Sequence, residues 1–91
     1  MGKITVYIVQ GDPRDHHGEI LLTTTDKSKA LTLCATLIKR WNKPTDSGYL
    51  SSVENKIQSD YKNLSQAKFL NIYLGSAWIT TPQLIKKIVT I

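Results

Sequence analysis

The chain has 91 residues, 41% of them hydrophobic and 21% charged, with two tryptophans and a formal net charge of +5, a composition that describes one folded domain over residues 1–91 and excludes a disordered tail. Its one cysteine, Cys34, excludes an internal disulfide and a CxxC zinc pair, and no apolar run approaches the ~20 residues of a membrane span. The charge is uneven: residues 27–43 carry five basic side chains and residues 61–91 carry four, with no acidic residue in either block, which favours acidic partners.

Residues 3–10, "KITVYIVQ", alternate and are rich in β-branched and aromatic side chains, so a strand is expected with Ile4, Val6 and Ile8 on one face and Thr5, Tyr7 and Val9 on the other. The run is too short for a secretion signal, so the expected location is the cytoplasm. A second strand is expected in "EILLTTT", residues 19–25, and the Gly, Asp and Pro residues of "GDPRDHHGE" between them mark a hairpin loop.

The period then changes. In "TDKSKALTLCATLIKRW" a stripe of Ala30, Cys34, Leu37 and Trp41, flanked by Leu33 and Ile38, predicts a helix of about 15 residues capped by Thr25 or Asp26. Lys39, Arg40 and Lys43 gather near its C-terminal carbonyls, where cations are favoured. "NKPTDSG" breaks the chain, and Leu50, Val53, Ile57, Tyr61 and Leu64 then predict a second amphipathic helix. "AKFLNIYLG" and "SAWITT" read as two strands joined by a Gly75-Ser76 turn. "TPQLIKKIVTI" fits a short helix opened by Pro82 or a strand. The expected fold is therefore α+β: a small antiparallel sheet in ββααββ order, with a short terminal element and both amphipathic helices on one face.

No catalytic residue, cofactor or metal site is expected. Asp12, Asp15, His16, His17 and Glu19 are metal-ligating types, but adjacent side chains on extended backbone point to opposite faces and "DHHGE" is not a helical HExxH. A solvated loop is the simpler reading, with Arg14 and His17 at its tip free to touch a partner. Cys34 lies on an apolar helical stripe and reads as a small buried hydrophobe. A Gly-x-Ser-x-Gly elbow and a glycine-rich phosphate loop are both missing.

If the helices cover Ile4, Val6 and Ile8, the opposite face of the sheet presents Tyr7, Phe69 and Tyr73 to solvent, a surface suited to a partner or to a homodimer. Lys39, Arg40 and Lys43 extend it with positive charge. The same aromatics and lysines would also serve a nucleic acid, although "AKFLNIYLG" lacks the RNP1 pattern.

The order strand, polar loop, strand and Thr-Asp-Lys helix start, "ITVYIVQ" followed by "GEILLTTTDKSKALTLC", resembles the N-terminal part of small phage and mobile-element accessory proteins over roughly the first 40 residues. The build is similar to that of anti-CRISPR and other host-inhibiting proteins. What the resemblance implies is a phage-encoded inhibitor that blocks a host protein or ribonucleoprotein complex, such as a CRISPR effector, by occupying its surface. It assigns no residue a role.

Overall fold

The computed structural model describes residues 2–11, 18–43, 52–77 and 79–91, which form β1 (Lys3–Gln10), β2 (Ile20–Thr24), α1 (Lys27–Trp41), α2 (Ser52–Asn63), α3 (Gln66–Tyr73) and β3 (Gln83–Thr90). The three strands make one antiparallel sheet in the order β2-β1-β3. The α+β class expected from the sequence is thus present, with three helices and three strands among the described residues in place of the two and four expected.

β1 and β2 pair as the first hairpin, closed by Gly11 N–H donating to the Glu19 carbonyl at 2.8 Å. Gly18 enters β2 with φ 69°, a left-handed conformation that glycine adopts without a Cβ clash. Arg14 and His17, the expected tip of this hairpin, lie outside the described residues, as does most of "NKPTDSG". β3 lies along the other side of β1, from Lys3↔Thr90 to Gln10↔Gln83. The C-terminal segment is therefore an edge strand of the sheet, neither a helix nor a cover over the open face.

The exposed and buried faces of the sheet are the reverse of those expected. Val9 is fully buried, with its cross-strand neighbours Leu22 and Leu84 and the nearby Tyr7 packed against the same core. The alternate set, Ile4, Val6, Ile8, Ile85 and Val89, shares the opposite face. Both sides of β1 are apolar, so alternation alone could not say which faces inward. The pairing register decides it, since a shift by one residue exchanges the two sets. An irregularity in the pairing between Val9 and Gln10 skips Leu21, and both Ile20 and Leu21 are exposed there.

α1 begins where expected, with Asp26 Oδ1 accepting from Ser28 N–H at 2.9 Å and Lys29 N–H at 3.3 Å. Among the described residues it is the helix that touches the strands, while α2 and α3 pack on α1 instead of on the sheet. Being covered from both sides, α1 buries Ala30, Cys34, Ala35, Leu37 and Ile38, a wider band than the stripe of a surface helix. The expectation of two helices lying on the sheet is corrected accordingly.

"AKFLNIYLG" is helix α3, where a strand was expected. Ser65 caps it, its Oγ accepting from Lys68 N–H at 3.3 Å. Phe69, Leu70 and Tyr73 share the buried side while Asn71 and Ile72 face solvent, a pattern of period 3.6 that also passes for alternation over so few residues. Gly75, with φ 82°, follows the C-cap Leu74 and ends the helix; it is not the corner of a hairpin. The described residues of the expected strand "SAWITT" form no strand: residues 79–82 belong to no regular element, and Ile79, Thr81 and Pro82 are buried.

Asn42 anchors that segment. Its Nδ2 donates to the carbonyls of Ile38 and Thr80, both at 2.8 Å, and its Oδ1 accepts from Thr80 N–H at 3.1 Å. One side-chain amide thus satisfies both backbone groups of Thr80 as a neighbouring strand would. Asn42→Ala removes both side-chain hydrogen bonds to Thr80 in a site where Asn42 is only 8% exposed, so it is expected to cost about 2–4 kcal/mol in urea unfolding and to lower Tm by on the order of 15 °C. Asn42→Asp should cost at least as much, because a carboxylate would face two carbonyls. A melting point for either variant close to that of the wild type would show that the clamp is dispensable.

Candidate functional site

The last turns of α1 and the middle of α2 enclose a cleft of about 380 Å³ lined by Thr36, Lys39, Arg40, Lys43, Gln58 and Tyr61. Local sequence explains the placement. Lys39 and Arg40 stand in the final turn of α1, where its exposed carbonyls favour cations, and Lys43 follows the C-cap Asn42. Gln58 holds α2 against this end of α1, its Nε2 donating to the carbonyls of Lys39 at 3.0 Å and Asn42 at 3.3 Å. Among the described residues no carboxylate lines the cleft.

Lys39 Nζ sits 4.6 Å from the centroid of the Tyr61 ring, a cation–π contact. Tyr61 in turn meets Phe69 edge-on, with centroids 5.4 Å apart and planes at 87°, and Phe69 packs on Tyr73 at 5.0 Å. The Tyr73 hydroxyl donates to Asp60 Oδ2 at 2.5 Å. The chain of rings fixes the floor of the cleft to the core between α2 and α3.

Of the residues expected to bind a partner, Lys39, Arg40 and Lys43 converge. Phe69 and Tyr73 do not join them on a surface: they are 1% and 7% exposed and belong to the core, because the segment carrying them is a helix whose buried side they form. Tyr7 is half-buried under the helices, since the sheet turns that face inward. Arg14 and His17 lie outside the described residues. Tyr61 and Gln58, which complete the cleft, escaped the reading of the sequence because Tyr61 repeats at core spacing with Val53 and Ile57. Its position at the C-terminal end of the stripe, opposite a cluster of lysines, is the signal that would have marked it.

A second surface is the face of the sheet that none of the described helices covers. Ile4 is 37% and Val89 42% exposed, with Val6, Ile8 and Ile85 half-exposed between them. β2 pairs only with Tyr7–Gln10 of β1, so the Lys3–Val6 half of β1 and its partner stretch of β3 project as a two-stranded ribbon. Ile88, on the face that carries Val9, is 63% exposed there because the helices do not reach it. The molecule accordingly measures 57 × 29 × 18 Å, with a radius of gyration of 14.7 Å against about 12 Å for a globular chain of this length. No helix among the described residues is long and apolar enough to cross a membrane.

The chain matches no protein-family model, no curated protein and no solved structure.

Two titrations follow from this geometry. Burial pushes the Cys34 thiol up to about 11, so at pH 8 Ellman's reagent should leave it intact in the folded protein and consume one thiol after denaturation; a folded-state reaction at the denatured rate would place Cys34 at the surface. Burial, reinforced by the hydrogen bond to Asp60 and its charge, pushes the Tyr73 phenol up from 10 to about 12. The folded state thus favours the neutral phenol, and this contribution is complete below pH 10 and is lost as pH rises through about 12. Tyr73→Phe should therefore show a shallower fall in stability between pH 10 and 12 than the wild type, and an equal slope would remove Tyr73 from the account.

Proposed function

We propose that the protein is a non-enzymatic binding protein that acts by occupying the surface of another protein, and that its docking surface is the open face of the sheet. The observation that carries this reading is the apolar row Ile4, Val6, Ile8, Ile85 and Val89 on one face of the sheet, exposed at Ile4 and Val89 and half-buried between them. Contiguous apolar surface of this kind marks interaction sites on small soluble domains. The burial of Cys34 supports binding over nucleophilic catalysis.

Charge selects the occupant. β1, β2 and β3 carry Lys3, Lys86 and Lys87 and no carboxylate. Lys87 pairs with Val6, midway along the β1–β3 ladder, and so stands among the apolar side chains of the open face. A second copy laid face to face across a two-fold axis would press two ammonium groups into a drying centre, which opposes a homodimer. A different protein, with an apolar centre and a carboxylate opposite Lys87, would gain a partly desolvated ion pair there. The face alone is small for either occupant: eight residues at about 3.3 Å and three strands about 4.8 Å apart project at most roughly 380 Å², about half of the roughly 800 Å² per partner of a standard interface. The rim lysines and the projecting ribbon must therefore make contacts too. The resemblance of the first 40 residues to phage accessory proteins supports a host defence complex, such as a CRISPR effector, as the target, with inhibition by surface occupancy.

A photoreactive phenylalanine analogue placed at Ile4 or Val89 tests this in host lysate. The expected result is a saturable adduct with one protein, competed by unmodified protein and weakened at least about tenfold by Lys87→Glu, an exposed change that leaves the fold intact. An adduct with a second copy, one indifferent to Lys87→Glu, or none at either position would overturn the proposal.

A further inference from the structure

We propose that the cleft between α1 and α2 binds the phosphodiester backbone of a single-stranded nucleic acid, with Lys39, Arg40 and Lys43 meeting phosphates and Tyr61 forming the floor. This does not rest on the sheet-face reading. The cleft lies on the helical side of the molecule, separated from the open face by α1 and the sheet itself.

Among the described residues the lining holds three cations and no carboxylate, which makes that part of the cleft electropositive. The simpler account of such residues is that they offset the negative end of the helix dipole. That account leaves two features over. The carbonyls of Lys39 and Asn42 already accept from Gln58 Nε2, so the side chains of Lys39 and Lys43 are not needed to satisfy them, and the repulsion those carbonyls would exert on an anion is reduced. Lys43, moreover, lies beyond the helix on the same cleft wall, where its charge serves the hollow as much as the helix end. Arg40 adds a planar fork that can hold two phosphate oxygens at once.

The shape favours a strand over a duplex. A hollow of about 380 Å³ falls at the small-ligand end of binding cavities, roughly 300–1,000 Å³, so it admits one flexible segment and not the flank of a double helix. Lys39 now covers the Tyr61 ring at 4.6 Å. A phosphate that draws the ammonium aside uncovers an aromatic face for the adjoining base, the combination of charge and stacking surface that single-strand binders use.

Fluorescence anisotropy of the whole protein with a labelled twelve-nucleotide oligothymidylate, the corresponding oligouridylate and a duplex, over a salt series, tests the proposal. Each phosphate contact on a single strand contributes about −0.7 to the slope of log K against log salt. Removing three contacts with K39Q/R40Q/K43Q should therefore flatten the slope by about 2 and weaken binding roughly 50-fold at 0.15 M salt. The control K3Q/K86Q/K87Q removes the same charge from the sheet and should change affinity by less than about threefold. Thermal melting checks that both variants fold. The oligothymidylate and oligouridylate arms distinguish DNA from RNA. Equal losses in the two triple variants, tighter binding of the duplex, displacement by polyglutamate as effective as by oligonucleotide, or no binding by the wild type at 50 mM salt would each overturn it.

Discussion

Asn42 joins three parts of the molecule, two through its side-chain amide and one through its main-chain carbonyl. At the C-cap of α1 it closes the helix on the Ile38 carbonyl, and with the same group it holds both backbone atoms of Thr80. Its main-chain carbonyl accepts from Gln58 of α2. Residues 79–82 have no strand or helix of their own in which to satisfy their peptide groups, and buried peptide groups must be satisfied somewhere. Asn42 is where Thr80 finds both partners. The path of the chain into β3 depends on it, and so does the seating of α2 over the end of α1. Both surfaces argued to be functional therefore lean on one residue: its side-chain amide fixes the approach to β3, which supplies part of the apolar face, and its main-chain carbonyl helps to seat α2 at the basic cleft.

The rest of the packing follows from the central position of α1. A helix with a sheet on one side and two helices on the other cannot keep a polar back, and α1 answers with small residues. Ala30, Cys34 and Ala35 let the neighbouring layers approach, while Leu37 and Ile38 fill the volume between them. What polar character α1 retains is pushed to its exposed edge and its ends: Asp26 at the start, Lys39, Arg40 and Lys43 at the finish. The basic cluster is thus partly a consequence of the architecture, since those positions are the ones the core leaves over. The aromatic chain from Tyr61 through Phe69 to Tyr73 then ties α2 to α3, and Asp60 fixes its far end by accepting from the Tyr73 hydroxyl.

How much of this the sequence discloses depends on how many residues carry each pattern. β1, β2, α1 and α2 were legible because eight to fifteen residues, or a Gly-Asp-Pro loop, separate the two periods. α3 was not. Leu70, Ile72 and Leu74 alternate while Phe69, Leu70 and Tyr73 follow helical spacing in the same short run, and the decisive signals were local: Ser65 as a cap and Gly75 as a stop. Misreading α3 carried Phe69 and Tyr73 onto an imagined sheet surface. The orientation of β1 failed for a different reason. Ile4, Val6 and Ile8 are as apolar as Tyr7 and Val9, so only the pairing with Leu22 and Leu84 could reveal which set is covered. The basic cluster at the end of α1 was legible as charge, but not as a cleft, because Gln58 and Tyr61 reach it from a helix nearly twenty residues away.

An open apolar face on a small sheet is a hazard as well as a resource, because β3 also presents a free edge to other chains. Lys86 and Lys87 counter both risks from adjacent positions. They point to opposite faces of the sheet, as successive strand residues must, so that one ammonium guards each side of the ribbon. Lys87 breaks the apolar row at its midpoint, where a stacked copy would need the surface driest. A lysine in that place lowers the affinity of the face for every apolar surface lacking a carboxylate to meet it. The same charge thus opposes a stacked second copy and any apolar surface without a carboxylate to meet it, so attraction and discrimination are built into one row of side chains.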